Sequence, residues 1–304
     1  MSLRAEILRV GTRCFFKGKP GPEASLEERR LRALAAQRWV PHPPPDVERI
    51  AVDAGGVAAE WVVTPMSQGH RHILYLHGGG YVIGSPSLYR HLTWRLARAV
   101  RARLLAADYR LAPEYPFPAA LDDAVATYEW LLASGADPHQ IVVIGDSAGG
   151  GLAFALLLRC RDEGRLPLPA AVVALSPWTD LALTGESLNG NALADPFLDA
   201  NGIPPIAECY LAGTDPRHPY ASPLYGDPTG LPPALIQVGS DEVLRDDATR
   251  MADRLAAAGC EVVLEIWPRM PHVWHLFASV MPEARRAISR IGAFVWERTT
   301  VTTA

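Results

Sequence analysis

The most constraining feature of this sequence is an apolar run that ends in glycines, at residues 141–151. Its four β-branched residues, I-V-V-I, are typical of a strand buried on both faces, and an Ala/Leu-rich helical run begins at Leu152. Between them Gly145, Ser147 and Gly149 spell G-x-S-x-G. A serine can project from so sharp a strand-to-helix turn only where its neighbours two residues away lack side chains. We therefore interpret Ser147 as the serine of a nucleophile elbow.

An ordinary glycine-rich turn, with phosphate binding as its function, is the alternative interpretation of this stretch. Neither G-x-G-x-x-G nor G-K-[ST] accompanies it, however. The predicted strand, turn and helix also follow one another in the order that a nucleophile elbow requires. The elbow is therefore the better interpretation.

Composition excludes several classes of function. The 304 residues carry a formal net charge of -4 and no dense Lys/Arg tract, so nucleic acid is not an expected partner. The only lysines, Lys17 and Lys19, lie far along the chain from Ser147, which argues against a Ser-Lys mechanism. The cysteines show neither metal-ligand spacing nor a disulfide framework, and we expect packed thiols: Cys14, Cys160, Cys209 and Cys260.

The N-terminal segment lacks the apolar region of a signal peptide. Charged residues interrupt it at Arg4, Glu6, Arg9 and Arg13, and no apolar run in the chain reaches membrane-spanning length. We therefore expect a cytoplasmic protein without stable membrane insertion. A basic amphipathic start can also lie on a membrane surface, but covering another part of the same protein is its more common role.

Two short amphipathic helices are predicted near the N-terminus. The first has apolar residues at helical spacing: Leu3, Ile7, Val10 and Cys14. In the second, Ser25 and Glu28 form a capping box before apolar residues that continue to Trp39. The proline-rich residues 41–45 then end this N-terminal piece.

After residue 45, apolar runs alternate with helical patterns, which predicts a mostly parallel sheet flanked by helices. Helices are expected at residues 89–100 and 119–132 and after the later strands. Eight strands are expected: residues 47–53, 60–64, 73–76, 104–109, the run before Gly145, and residues 170–175, 234–238 and 261–266.

One insertion breaks this alternation. Residues 178–224 contain no clear strand, and Pro, Asp and Gly separate short helical pieces there. An insertion next to the carboxyl edge of a sheet would cover a site at that edge. We expect it to form a helical cap with residues 1–45, over a catalytic domain of residues 46–177 and 225–304.

A serine hydroxyl is a weak nucleophile at neutral pH, so it needs a base and hydrogen-bond donors for the oxyanion that forms. The predicted strand of residues 73–76 runs into H-G-G-G at residues 77–80. In such a loop the backbone N–H groups can turn toward the reacting carbonyl oxygen. We assign the oxyanion hole to the N–H groups of Gly79, Gly80 and Ala148.

Together, the H-G-G-G loop and the G-D-S-A-G-G elbow make this sequence resemble the hormone-sensitive lipase (HSL) family of α/β-hydrolases, also called the family IV bacterial esterases. Further blocks, D-Y-R-L-A-P-E at residues 108–114 and A-S-P-L at residues 221–224, are similar to that family, and the resemblance covers most of the chain past residue 45. It implies an α/β-hydrolase fold, a serine carboxylesterase with neither cofactor nor metal, and a homodimer through the last strand. It also adds Asp146, before the serine, as a supporting residue whose role stays open.

The triad order in this fold is nucleophile, acid and histidine, which places the acid after a late strand. The strand of residues 234–238 runs into G-S-D-E, and the resemblance assigns the catalytic acid to Asp241. Asp246 and Asp247 are the alternatives. Acidic residues at their positions are more typical of a helix N-terminus.

For the base, the loop after the last predicted strand carries M-P-H-V-W-H at residues 270–275. Pro271 favours a loop there, and His272 matches the histidine position of the family. His275 is the alternative, expected in the first turn of the final helix. We also expect Arg110 and Glu114 to pair beneath the oxyanion loop and hold its shape.

The leading hypothesis is a carboxylesterase that hydrolyses short- to medium-chain esters of small molecules through an acyl-enzyme, with Ser147, His272 and Asp241 as its triad. The same residues can act on an amide or an acetylated small molecule, as in relatives similar to arylacetamide deacetylases. A small-molecule receptor similar to the plant gibberellin receptors would lack the catalytic histidine. The presence of His272 argues against that function.

Overall fold

The computed structural model describes residues 25–36 and 41–299, together with Ser2, Glu6 and Gly11. Helix α1 (Leu26–Ala36) begins with the predicted capping box. The Ser25 N–H donates to Glu28 Oε2 at 3.0 Å, and the Glu28 N–H donates to Ser25 Oγ at 3.2 Å. The other predicted helix, with Leu3, Ile7, Val10 and Cys14, lies outside the described residues, as does Trp39.

Within the described residues the chain forms one eight-stranded sheet in the order β1-β2-β4-β3-β5-β6-β7-β8. Among these eight strands, β2 alone runs in the direction opposite to the others, so the prediction of a mostly parallel sheet of eight strands is confirmed. The strands are β1 (Glu48–Asp53), β2 (Ala58–Val63), β3 (Gln68–Leu76), β4 (Ala102–Ala107), β5 (Ile141–Asp146), β6 (Ala171–Leu175), β7 (Ala234–Gly239) and β8 (Val262–Trp267).

Helices cover both faces of this sheet, which explains why its central strands are apolar on both sides. The remaining helices are α2 (Pro86–Val100), α3 (Ala119–Ala133), α4 (Ala148–Glu163), α5 (Ser187–Gly190), α6 (Ile203–Leu211), α7 (Arg245–Ala257) and α8 (Pro282–Thr299). In β3, Leu74 and Leu76 belong to one apolar cluster with α3, α4 and α7, whereas Ile73 and Tyr75 belong to a second cluster with α2 and α8.

The segment between β6 and β7 differs from the rest of the chain. All of its residues are described, and none of them lies in a strand, as expected from its sequence. It contains α5, α6 and short 3₁₀ turns. The longest of these pieces, α6, has nine residues.

None of the helices in the described part of the chain combines the length and the apolar character needed to span a bilayer.

Candidate active site

The parallel strands bring four loops to one edge of the sheet. The chain leaves β3 into the H-G-G-G loop, β5 into the elbow, β7 into the loop with the acidic residues, and β8 into the histidine loop. All four strands run in the same direction, so their carboxyl ends lie side by side. This edge is where open α/β sheets bind their ligands.

Ser147 is the turn between β5 and α4. Its backbone has φ 52° and ψ -122°, a region that residues with side chains rarely adopt. The flanking glycines are required by close contacts between backbone segments. A Cβ at Gly145 would lie 2.1 Å from the Gly149 carbonyl oxygen, and a Cβ at Gly149 would lie 2.0 Å from the Leu76 carbonyl oxygen. The local structure is therefore the elbow that G-x-S-x-G predicts.

The structure brings Ser147 and His272 together. Ser147 Oγ lies 2.9 Å from His272 Nε2, and His272 Nδ1 lies 2.8 Å from Glu242 Oε2. The side chains of His272 and Glu242 are 4% and 0% exposed. The three groups form the hydrogen-bonded line that a serine nucleophile, its base and an orienting acid require.

The carboxylate on His272 belongs to Glu242, which corrects the prediction of Asp241. Asp241 is partly exposed, and its Oδ1 accepts a hydrogen bond from Ser240 Oγ at 2.8 Å. Glu242 is held inside by the Gly239 N–H and by Ser176 Oγ, which donate to its Oε1 at 2.6 and 2.8 Å. Neighbouring residues of an irregular turn point in different directions, and no pattern in G-S-D-E indicates which of the two carboxylates turns inward.

The two alternative acids lie elsewhere. Asp246 and Asp247 are in the first turn of α7, as predicted. The Asp247 carboxylate accepts hydrogen bonds from the backbone N–H groups of Thr179 and Asp180, each at 2.9 Å. Burial raises the pKa of Asp247 to about 8. The Asp246 side chain accepts a hydrogen bond from the Ser187 N–H at 2.8 Å. Both carboxylates therefore connect the beginning of the insertion to α7.

His275, the alternative base, is buried away from the serine. Its Nε2 lies 2.8 Å from Gln237 Oε1, and burial lowers its pKa to about 3. It lies in a 3₁₀ turn, not in the first turn of α8. At His272, burial also lowers the pKa, but the hydrogen bond and charge of Glu242, together with the charges of Asp195 and Asp146, outweigh burial and raise it. His272 therefore has the stronger tendency to take up a proton.

The H-G-G-G loop has a backbone that only glycine adopts easily. Gly79 has φ 110°, and a Cβ there would lie 1.8 Å from the Ile83 carbonyl oxygen. Gly80 has φ 64° and faces the α6 side chain of Ile206. Within the described part of the chain, no acceptor binds the N–H groups of Gly79, Gly80 or Ala148.

Asp146 connects the elbow to this loop. Its Oδ1 accepts hydrogen bonds from Tyr75 OH at 2.5 Å and from the Gly78 N–H at 3.0 Å. Burial raises the pKa of Asp146 to about 6, although the bond from Tyr75 opposes this shift. The carboxylate thus fixes the first glycine of the loop against the residue before the serine.

The predicted pair between Arg110 and Glu114 does not form. Arg110 Nη2 binds Asp123 Oδ1 at 2.7 Å, and Glu114 Oε1 binds Arg30 Nη1 at 2.6 Å. Arg30 also donates from Nε to the Val82 carbonyl oxygen at 2.7 Å. Helix α1 therefore holds the backbone that follows the H-G-G-G loop, through a contact between distant residues that no local motif indicates.

Among the residues that the structure describes, no three His, Cys, Asp or Glu side chains are grouped as metal ligands would be. Three of the four cysteines are described, and they are free thiols: Cys160, Cys209 and Cys260.

A sheet of this topology with a serine elbow after β5 and a histidine after β8 defines a serine hydrolase of the α/β-hydrolase class. Comparison with known proteins agrees, because a family model described as alpha/beta hydrolase fold matches residues 73–276. An acetyl-hydrolase of Streptomyces hygroscopicus is 53% identical over 273 residues, which are 89% of each chain. An esterase of Acinetobacter venetianus is 35% identical over 82% of each chain.

Solved structures narrow the class to one family. A crystal structure of an esterase from the bacterial hormone-sensitive lipase family has a TM-score of 0.93 and 44% identity over 99% of both chains. The esterase EstE5, soaked with p-nitrophenyl butyrate, has a TM-score of 0.93 and 43% identity over 98% of this chain and 99% of its own. This chain belongs to the HSL family of α/β-hydrolases and is a carboxylic ester hydrolase. The resemblance inferred from its motifs is confirmed.

Proposed function

We propose that this chain hydrolyses short- to medium-chain carboxylic esters through an acyl-enzyme, with Ser147, His272 and Glu242 as its triad. The observation that supports these roles is the line of two hydrogen bonds from Ser147 Oγ through the imidazole to Glu242 Oε2. His272 Nε2 takes the hydroxyl proton while Oγ attacks the ester carbonyl carbon, and Glu242 stabilises the imidazolium that forms. His272 then protonates the leaving alcohol. In the second half-reaction it takes a proton from water as the water oxygen attacks the acyl carbon, and it returns that proton to Ser147 Oγ as the acyl–Oγ bond breaks and the carboxylic acid leaves.

The oxyanion is stabilised, in this proposal, by the N–H groups of Gly79, Gly80 and Ala148. Ala148 is the first residue of α4, a helix of 16 residues, so the positive end of the helix dipole adds to its N–H. Donors that are already oriented cost no reorganisation as charge develops in the transition state. The glycine backbone of the loop and the elbow turn provide this orientation.

We further propose that residues 1–45 and 178–224 form a cap over a catalytic domain of residues 46–177 and 225–304. Two contacts of α6 with the oxyanion loop support this division. The Tyr210 ring stacks on Tyr81 with centroids 3.8 Å apart. A Cβ built at Gly80 would lie 2.7 Å from Ile206 Cγ2, so this part of the cap lies directly against the loop.

The preferred acyl chain, in this proposal, has up to about eight carbons, because each methylene adds about 0.8 kcal/mol only until the pocket is full. The Phe197 ring lies 5.9 Å from the His272 ring, which restricts the space beside the base. In addition, no helix between β6 and β7 exceeds nine residues, so this fully described insertion lacks a long lid helix. One relative is named an acetyl-hydrolase, and the crystals of another were soaked with p-nitrophenyl butyrate. Acetyl and butyryl are both short acyl groups.

A second candidate, deacetylation of an acetylated small molecule, is favoured by the 53% identity to an acetyl-hydrolase. An acetyl group is a short acyl chain that the same triad would transfer to water. Ester and amide substrates pass through the same acyl-enzyme, so the two functions differ in the leaving group alone. A matched pair, phenyl acetate and acetanilide, separates them.

The proposed function is tested with a serine-reactive phosphonate and a panel of p-nitrophenyl esters from acetate to palmitate. We expect the label on the peptide that contains Ser147, and kcat/KM to rise from acetate to a maximum at or below about eight carbons and then to fall. Ser147→Ala is the control and should take up no label. A maximum at palmitate with activation at an oil interface would make the protein a lipase instead.

This proposal includes a cytoplasmic location, which the free thiols support.

The proposal also includes a homodimer through β8. Strand β8 is an edge of the sheet, and its Ile266 is 46% exposed. An unpaired edge with an exposed apolar side chain favours pairing with a second copy. Sedimentation analysis should show a dimer, and Ile266→Lys should shift it to a monomer. A wild-type monomer at all concentrations would contradict this assembly.

A further inference from the structure

Ser176 is a strained and fully buried residue beside the proposed triad. It follows β6 directly and has 0% exposure. Its φ is 48°, in the left-handed region where glycine is favoured and a side chain adds strain. Glycine would adopt this backbone at a lower cost. The serine side chain must therefore contribute something that glycine lacks.

The hydroxyl of Ser176 makes two hydrogen bonds, and both lead to the triad. Ser176 Oγ donates to Glu242 Oε1 at 2.8 Å and accepts from the Val273 N–H at 3.1 Å. The other oxygen of Glu242 lies on His272 Nδ1. Val273 follows His272 in the chain and is itself in the left-handed region, with φ 44°. One hydroxyl thus joins the acid to the backbone that carries the base.

Ser176 is itself held by the sheet. Its backbone N–H donates to the Gln237 carbonyl oxygen of β7 at 2.7 Å. The hydroxyl therefore projects from a rigid strand end into two loops that follow other strands. The loop of Glu242 leaves β7, and the loop of His272 leaves β8. A side chain on a rigid element fixes the position of its partners better than one on another loop does.

We propose that Ser176 is a positioning residue, whose single hydroxyl fixes the Glu242 carboxylate and the His272 loop relative to each other. This inference rests on the proposed triad. Without the hydroxyl, Glu242 Oε1 keeps only the Gly239 N–H, and the buried Val273 N–H has no acceptor. The carboxylate and the imidazole can then rotate relative to each other. Small displacements of catalytic groups lower the rate of the chemical step more than they weaken substrate binding.

The test compares Ser176→Ala and Ser176→Gly with a matched control, Ser222→Ala. Ser222 is also a serine with 0% exposure, and its hydroxyl also donates to a carbonyl oxygen, of Pro216, and accepts from a backbone N–H, of Leu181. It does not contact the proposed triad. Any loss that comes from deleting a buried serine hydroxyl as such should appear equally in the control.

We expect both Ser176 variants to lose about 10- to 100-fold in kcat on p-nitrophenyl butyrate with KM changed less than about threefold. The Ser222 variant should keep kcat within about threefold of the wild type. Ser176→Gly removes the strain as well as the hydroxyl, so it folds even if the alanine variant is too unstable to assay. If the glycine variant retained wild-type kcat, the hydroxyl would have no positioning role and the inference would be overturned.

A double-mutant cycle shows whether Ser176 acts through the acid. In a Glu242→Gln background, adding Ser176→Ala should cost less than about threefold in kcat, because residues that act as a unit are non-additive. Full additivity of the two losses would contradict the inference. Ser147→Ala separates this outcome from a failure of the proposed function. If Ser147→Ala remained active, the triad itself would be wrong, whereas an inactive Ser147→Ala with unaffected Ser176 variants would overturn only the role of Ser176.

Discussion

The nucleophile side and the acid-histidine side of this site are built by different means. On the nucleophile side, the elbow and the H-G-G-G loop owe their shape to glycines, because a Cβ at Gly145, Gly149 or Gly79 would lie within 2.1 Å of a backbone oxygen. On the acid-histidine side, buried side chains from distant parts of the chain hold the loops, as Ser176 does for Glu242. The nucleophile side therefore depends on three such glycines, to which Asp146 and Arg30 add long-range hydrogen bonds. The acid-histidine side depends on long-range hydrogen bonds and on one such glycine, Gly239, where a Cβ would lie 2.1 Å from the Met270 carbonyl oxygen.

The insertion between β6 and β7 contributes to both halves. Its first part supports the acid loop, since Asn191 Nδ2 donates to the Glu242 carbonyl oxygen at 2.8 Å and Asp195 Oδ2 accepts from the Val243 N–H at 3.0 Å. Its later part, α6, lies against the H-G-G-G loop through Ile206. The segment from α5 to Asp195 is therefore a support for the acid as well as a part of the proposed cap.

The largest expected effects come from removing one proposed triad residue on each side of the site, and the two losses should be equal. Ser147→Ala and His272→Ala should each lower kcat by about a millionfold, because triad members act as a unit. Steady-state kinetics measure the loss, and circular dichroism checks that both variants stay folded. His275→Ala is the matched histidine control and should retain most of the activity of the folded protein. A more damaging change at His275 would reassign the base.

The choice of acid gives the next largest effect. Glu242→Gln should lower kcat by about ten-thousandfold, because an amide no longer stabilises the imidazolium and favours the wrong imidazole tautomer. Asp241→Asn, one residue away and outside the hydrogen-bonded line, should stay within about threefold of the wild type. The comparison is made on kcat for one ester at one pH. The opposite ranking would restore Asp241 as the acid.

Steric control of the elbow predicts a large loss of stability. Gly149→Ala places a Cβ 2.0 Å from the Leu76 carbonyl oxygen, so the free energy of unfolding should fall by about 3 kcal/mol or more. Gly190→Ala is the control, because a Cβ there meets no atom within 4 Å. It should change the free energy of unfolding by less than about 0.5 kcal/mol. Urea denaturation of both variants measures the difference, and equal stabilities would show that the elbow is not sterically determined.

The pH dependence tests the acid-histidine side. His272 must be neutral to accept the serine proton, and its pKa is raised above the ordinary value of about 6.5 by Glu242. Below that pKa, kcat/KM should fall about tenfold per pH unit as the imidazole becomes protonated. The midpoint of this fall should therefore lie above about pH 6.5. In Glu242→Gln it should move to lower pH, because only the charges of Asp195 and Asp146 then oppose the lowering of the His272 pKa by burial. An unchanged midpoint would show that Glu242 does not raise the pKa of the group that titrates.

The smallest expected effect concerns the support from the insertion. Asn191→Ala removes the donor to the Glu242 and Ser240 carbonyl oxygens and should lower kcat about three- to tenfold, because the acid loop loses part of its orientation. Asn201→Ala, elsewhere in the insertion, is the control and should leave kcat unchanged. Kinetics on p-nitrophenyl butyrate compare the two. Equal rates in both variants would show that the acid loop keeps its shape without the insertion.

Much of this protein follows from its sequence alone. The eight strands, the elbow at Ser147, the H-G-G-G loop and the capping box of α1 were all predicted, because each depends on residues that lie close together in the chain. Apolar runs determine which segments are buried strands, and spacing of glycines determines where the backbone can turn. These constraints act over a few residues, so they are visible in a single sequence.

The tertiary structure alone decided which partners distant residues choose. Asp241 and Glu242 are adjacent carboxylates, and only the packing of Ser176 and Gly239 around Oε1 of Glu242 turns that residue toward His272. Likewise Arg110 binds Asp123 and not the predicted Glu114. A charged side chain can reach several partners, and the choice among them depends on how loops from separate strands fit together at the sheet edge.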